Sequence, residues 1–421
     1  MKCFLTQSNN IDKDSFVWNM AGSMLNAFQS VIMLMILTRT ASLDEAGIFT
    51  IAYANANLFM FIGKYGVRNF QVSDVKKQFS FQEYNFARLI TSFVMMVSAI
   101  LYIVYASRSN NYSDNKTWCI VWMCLFKLVD ALEDAYYGLY QQNNRLDIAG
   151  KCMTIRMATM IVIFAVCLFI FRALLPALII ATVTTAIICV ILIYVTYSSF
   201  DVPKQKIRYD KVWALLKTCF PLFLGTFLAY YIGNAPKYSI DSILTDELQA
   251  CYGFIAMPVF VIGLLNGFIF NPIIANMSVL WNEGELKKFK KLMFKQLLIV
   301  IAITVVCEIG AFLLGIPVLS IMYNTDLNGF KNELLVLLLG GGFLALSGLM
   351  VTIITIMRRQ KFLAVGYAVV AVTAYFLSPI FVKRYEIMGA ATLYMVLMLL
   401  LCLIFVIPLV GGIRERDSRY V

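Results

Sequence analysis

Apolar runs of about 20 residues recur along almost the whole chain, and runs of that length cross a bilayer core as helices. Read with a window of about 19 residues, they predict about twelve helices. These lie near 16–38, 46–67, 86–105, 118–140, 152–171, 176–198, 213–233, 248–272, 294–316, 333–357, 363–381 and 389–410. Lipid offers a backbone no hydrogen-bond partners, so each such run must satisfy its own amides. Composition agrees: 61% of the residues are hydrophobic and 14% charged, against about 25% charged in soluble domains. Mean hydropathy is +0.79. The fold class is therefore an all-α polytopic membrane protein, with no gap long enough for a separate soluble domain. Residues 1–15 are polar and include Asp12 and Asp14. The span after them is too long for the core of a signal peptide and is expected to stay as the first membrane helix.

A net charge of +11 would suggest nucleic acid in a soluble chain. Here the cations gather in short loops on one face, among them Lys76, Lys77, Lys204, Lys206, Arg208, Lys211, Lys287, Lys288, Lys290, Lys291, Arg358, Arg359, Arg414, Arg416 and Arg419. That asymmetry predicts a cytoplasmic N-terminus and C-terminus, and no nucleic-acid partner is expected. Stretches 203–212 and 284–295 read as amphipathic surface helices anchoring on anionic lipid. Two glycosylation-type triplets in the 107–117 loop are discounted as chance matches in a polar loop. Ten cysteines sit mostly singly in apolar runs, without paired spacing and without any histidine. Neither a metal nor another cofactor is expected.

An internal repeat is visible. Leu43-Asp44-Glu45-Ala46-Gly47 follows the first helix, and Thr245-Asp246-Glu247 with Ala250 follows the seventh. Arg145-Leu146-Asp147-Ile148-Ala149-Gly150 follows the fourth, and Lys361-Phe362-Leu363-Ala364-Val365-Gly366 follows the tenth. Both pairs are offset by six helices. An even offset preserves orientation, so the halves, residues 1–200 and 201–421, are expected to be six-helix lobes related by a pseudo-twofold along the membrane normal. Similar bundles with a site at the repeat interface are a transporter architecture.

The fourth helix carries Lys127, Asp130, Glu133 and Asp134 within about two turns. Each charge at mid-membrane costs roughly 2.5–3.5 kcal/mol, so the cluster must face protein or a watery cavity. Lys127, Asp130, Asp134 and Gln141 share one face at spacings of three, four and seven. Two readings stand. Asp130, Glu133 or Asp134 binds a proton or Na⁺ and couples it to transport; or the acids pair with Arg88 or Arg156 as a structural frame.

Polar stripes mark two other helices. Asn19, Ser23, Asn26 and Ser30 lie on one face of the first helix, and Asn57, Lys64 and Arg68 on one face of the second. Lys64 and Arg68 either snorkel to the interface or clamp a phosphate through charge-assisted hydrogen bonds. The seventh helix is expected to break at Gly233-Asn234-Ala235-Pro236, leaving Lys237 at its outer end as Arg39 ends the first. Pro258 and Pro272 are expected to bend the eighth. Glu308, one turn after Thr304, is either a second titratable site or a hydrogen-bonded structural acid. No phosphate loop, nucleophile elbow or histidine is present, so an enzyme is not expected.

The opening helix WNMAGSMLNAFQSVIMLMILTR followed by AGIF resembles the Wzx-type polysaccharide flippases of the multidrug/oligosaccharidyl-lipid/polysaccharide exporter superfamily. So do GLYQQNNRLDIAGKCMTIR and NAPKYSID followed by YGFIAMPVFVIGLLNGFIFNP. The resemblance covers essentially all 421 residues. It implies that an undecaprenyl-diphosphate-linked oligosaccharide (O-antigen, capsule or exopolysaccharide repeat unit) is flipped across the bacterial cytoplasmic membrane by alternating access, in exchange for H⁺ or Na⁺. On that model the diphosphate meets Lys64, Arg68, Lys237 and Arg39, and the sugars meet Asn26, Asn57, Asn234 and aromatic residues. The ion-coupling candidates are Asp130, Glu133, Asp134 and Glu308. The expected partners are membrane lipid, the polysaccharide polymerase and its chain-length regulator. A cation-coupled multidrug exporter of the same superfamily is the alternative.

Overall fold

The computed structural model of the chain describes residues 2–74, 76–203 and 205–418, with the backbone alone at 268, 269, 271 and 272. Lys204, Arg419 and the side chain of Pro272, all used above, lie outside the described residues. Among the described residues there are helices and no strands. The first six long helices are α1 (Ile11–Thr40), α2 (Leu43–Lys64), α3 (Phe81–Ser109), α4 (Asp114–Gln142), α5 (Leu146–Phe171) and α6 (Leu174–Tyr197). Next come α7 (Tyr209–Ile243), α8 (Asp246–Ile255 and Met257–Asn282, joined at Ala256), α9 (Leu286–Gly310, a π-helical turn at Ala311–Gly315, then Ile316–Tyr323) and α10 (Lys331–Ile356). The segment Lys361–Asp417 is two helices meeting at Glu386, which is not helical; they are α11 (361–385) and α12 (387–417). Ten of these segments are long and apolar enough to cross a membrane. Resolving the last into two and adding the charged α4 gives the twelve that the apolar runs predict.

Several boundaries depart from the sequence reading. α7 runs unbroken through Gly233–Pro236: in lipid the intact helix is the cheapest way to satisfy the surrounding backbone. α2 stops at Lys64, because Tyr65 and Gly66 are both left-handed (φ 48° and 69°). Arg68 therefore lies on a separate short helix, Val67–Ser73. Residues 284–295 are not a surface helix but lead into the first turns of α9, and 201–203 and 205–208 are irregular. Pro258 stands in the first turn of the second α8 segment, where a missing N–H costs nothing.

The chain divides into two compact units at Phe227/Leu228, within α7. In unit 1, α4 is packed by α2, α3, α5 and α6. The charged middle of α4, Lys127, Asp130, Glu133 and Asp134, is thus buried. In unit 2, α10 is packed by α8, α9 and α12, and three consecutive glycines allow it. A Cβ on Gly342 would come within 2.5 Å of Thr304 in α9, and one on Gly340 within 2.6 Å of Tyr394 in α12. α4 and α10 each make extensive contacts with several helices of their own unit.

Glu386 turns the chain between α11 and α12 at φ 47°, ψ −127°, a region that favours glycine. Its side chain is exposed, so Glu386→Gly removes strain without removing packing. We expect a gain of about 1 kcal/mol, visible as a higher thermal midpoint of the purified protein.

Candidate functional site

A cavity of about 230 Å³ opens inside unit 1, lined from four long helices and the short helix after α2. The crossing of α1 and α5 makes its first wall. Gly150 lies so close to α1 that a Cβ would come within 2.5 Å of the Asn19 backbone nitrogen. This approach sets Asn19, Ser23 and Asn26 of α1 in the same lining as Met153, Arg156 and Met157 of α5. The i, i+4, i+7 spacing that marked one face of α1 is therefore a cavity face.

The opposite wall comes from the end of α2. The left-handed turn at Tyr65 and Gly66 leaves the Gly63 carbonyl without its helical partner. Arg88 Nη1 and Thr91 Oγ1 of α3 each donate to it at 2.7 Å. The turn leaves Lys64 and Arg68 both lining the cavity, although they do not share one helix as expected. Asn57 is not with them. Its amide donates to the Tyr53 carbonyl one turn back, the usual way a polar side chain is satisfied inside a membrane helix.

The floor is the acid cluster of α4. Arg88 Nη2 donates to Asp134 Oδ2 at 2.7 Å, while the half-exposed Arg68 reaches Asp134 Oδ1 at 3.4 Å and Gln141 Oε1 at 3.0 Å. Arg156 Nη2 bridges Asp130 Oδ1 at 2.7 Å and Glu133 Oε1. Lys127 Nζ donates to Asp130 Oδ2 at 3.0 Å and Gln29 Oε1 at 3.1 Å, and it faces the Tyr53 ring at 4.7 Å. Tyr137 donates its hydroxyl to Glu133 Oε2 at 2.9 Å. Arg88 and Arg156 are the partners that the structural-frame reading named. A buried ion is tolerated when it is paired and its remaining positions are hydrogen-bonded, and the three carboxylates meet that condition.

The cations do not. Lys64, Arg68, Arg88, Lys127 and Arg156 are five, against three carboxylates, so the ionised cluster carries an excess of two positive charges. Lys64 makes no hydrogen bond or ion pair among the described residues, although its charge acts on all three acids. Arg156 keeps two buried nitrogens, Nη1 and Nε, without acceptors. An unmatched buried donor costs about 1–3 kcal/mol, a cost that an anion in the cavity would remove.

The remaining candidates lie elsewhere. Arg39 is in the last turn of α1 and is not in this lining. Asn234, Lys237 and Glu308 belong to unit 2. Asn234 donates to the Tyr230 carbonyl. Lys237 has no partner among the described residues, and Glu308 Oε1 is buried without one. Sequence reading named Arg156 only as a brace for the acids and passed over Tyr137. The available signal was the lone guanidinium in the apolar run CMTIRMATMIV, which has the same membrane cost that singled out α4.

Among known families, the one described as polysaccharide biosynthesis protein matches residues 13–278. A relative in Staphylococcus aureus, the capsular polysaccharide biosynthesis protein CapF, is 23% identical over 385 residues, covering 90% of this chain and 94% of that protein. An inward-facing multidrug resistance MATE family transporter of the MOP superfamily is similar in structure. Its TM-score is 0.69 at 11% identity, over 93% of this chain and 95% of that chain. The bent form of the Vibrio cholerae MATE transporter VcmN gives 0.59 at 12% identity, over 97% and 98%. A Pyrococcus furiosus MOP superfamily transporter described by the reverse polarity of its binding pocket gives 0.53 at 10% identity, over 99% and 98%. At these identities the structural likeness speaks for the fold.

Proposed function

The chain belongs to the polysaccharide biosynthesis protein family, and for this multi-pass membrane transporter we propose the role of a flippase for lipid-linked polysaccharide precursors. The substrate is an undecaprenyl-diphosphate-linked oligosaccharide, carried by alternating access across the bacterial cytoplasmic membrane with both chain termini on the cytoplasmic side. One observation carries the reading: five cations surround the three carboxylates that border the unit 1 cavity, and among the described residues Lys64 is unpaired and two Arg156 nitrogens lack acceptors. A diphosphate supplies the missing anion. Lys64, Arg68 and Arg156 bind its oxygens through charge-assisted hydrogen bonds, the strongest type available to a neutral-pH site. Asn19, Ser23 and Asn26 offer donors and acceptors to the adjoining sugar, while the prenyl chain stays in lipid.

Asp130, Glu133 and Asp134 hold those cations in place, and any H⁺ or Na⁺ coupling acts by loosening that frame. Within unit 2, Lys237, unmatched among the described residues, is a phosphate-binding candidate in its own right, and Glu308 a candidate coupling acid. The MATE-like fold also suits a multidrug exporter, but an organic cation would meet the net positive charge of the cluster around this cavity. The test is deletion of the gene with assay of both leaflets. A flippase predicts lipid-linked repeat units stranded on the inner leaflet, loss of surface polysaccharide and unchanged drug tolerance. Intact surface glycan with new sensitivity to organic cations would transfer the role to drug export.

A further inference from the structure

A five-residue helix, Lys2–Thr6, lies against unit 1 at the end where α4 stops and α5 begins. A helix this short does not hold itself together in water, so its order comes from what it touches. Leu5 is completely buried, packed with Tyr137, Tyr140, Ile148, Cys152 and Leu192. Three backbone carbonyls of the segment are held by side chains of the bundle. Arg145 Nη2 donates to Thr6 O at 2.6 Å, and Lys151 Nζ donates to Phe4 O and Gln7 O, each at 3.1 Å. Lys151 is itself buried, with Asp14 of α1 at 3.7 Å. Phe4 packs edge-on to Trp18 of α1 at 5.7 Å. The segment thereby ties α1, α5 and α6 together at one end of the unit.

Bordering the Leu5 cluster is a second cavity of about 10 Å³, lined by Glu133, Tyr137, Tyr140, Cys152, Cys189 and Thr196, with Leu192 and Ile193 completing it. It holds about one water. Tyr137, Tyr140, Cys152 and Leu192 both line it and pack on Leu5, and Glu133 lines both this cavity and the larger one. The Leu5 cluster therefore adjoins a short polar route to the acid cluster. We propose that Lys2–Thr6 is a plug: seated, Leu5 closes this end of unit 1, and withdrawn, it admits water through the small cavity to Glu133. Two side chains, Leu5 and Phe4, and three carbonyl contacts fasten it, so it can leave as a piece while the long helices stay packed. This does not depend on what the larger cavity carries.

Cys152, 2% exposed beside Leu5, is a built-in reporter. The experiment treats the purified full chain in detergent with a hydrophilic maleimide and follows labelling of individual cysteines by peptide mass spectrometry. Leu5→Ser should raise the Cys152 labelling rate at least tenfold. Cys119, buried in α4 outside the plug's surroundings, should stay protected. Arg145→Gln, which loosens the segment without touching its apolar seat, should raise the Cys152 rate in the same sense by a smaller factor. The proposal is overturned if Cys152 stays protected in both variants. It is equally overturned if Cys119 and Cys152 become reactive together, since the segment would then be an inseparable part of the bundle.

Discussion

Arg88→Leu should cost unit 1 about 3–5 kcal/mol, the range for breaking a buried ion pair by removing one partner. Arg88 is completely buried and gives one nitrogen to Asp134 and another to the Gly63 carbonyl, both at 2.7 Å. Its loss leaves a buried carboxylate held only by the longer Arg68 contact, and Gly63 held only by Thr91. A membrane protein with a few kcal/mol in hand should then accumulate poorly and melt well below the wild type. Adding Asp134→Leu removes the stranded charge, and paired removal of a buried ion pair is often close to neutral. The double variant should recover more than half of the lost thermal stability. If it melts no higher than Arg88→Leu alone, the stabilising role assigned to the pair is wrong.

Lys64→Gln should behave in the opposite manner, sparing the fold and impairing transport. Lys64 is half-buried and unpaired among the described residues, so stability should change by no more than about 0.5 kcal/mol, as for substitutions that break no named interaction. A charge-assisted hydrogen bond to phosphate is worth about 1.5–3 kcal/mol, so export of lipid-linked repeat units should fall roughly ten- to a hundredfold at normal protein level. Lys64→Arg should retain most of it. Arg68→Gln should show a smaller loss, because Arg68 already spends its nitrogens on Asp134 and Gln141. The contrast between residues 64 and 88 separates cations that hold the frame from the cation that the frame holds ready.

Much of the architecture was legible because lipid imposes few solutions. Length and apolarity of the runs led to twelve helices, and the cost of charge turned the acids of α4 toward protein or a watery cavity before any packing was known. The details that escaped depend on local competition. Gly233 and Pro236 break helices in water, but nothing in lipid replaces the lost backbone bonds, so α7 continues. Tyr65 taking a left-handed conformation is a rare choice for a non-glycine residue, and helical spacing alone carried the face past it to Arg68. Asn57 belonged to the right stripe but satisfies its amide on its own helix. Arg156 was read as a brace, and its two unmatched nitrogens emerge only when its neighbours are placed.

The central claim is that the unit 1 cavity is an anion site completed by a diphosphate. The direct measurement is binding of a short-chain prenyl-diphosphate sugar to the purified protein, followed as thermal stabilisation against ligand concentration. Wild type should be stabilised in a saturable manner, and Lys64→Gln should need at least tenfold more ligand for the same shift. The same sugar on a neutral prenyl alcohol should give neither protein a shift. Equal affinity of wild type and Lys64→Gln for the diphosphate, or equal stabilisation by the neutral analogue, would contradict the account.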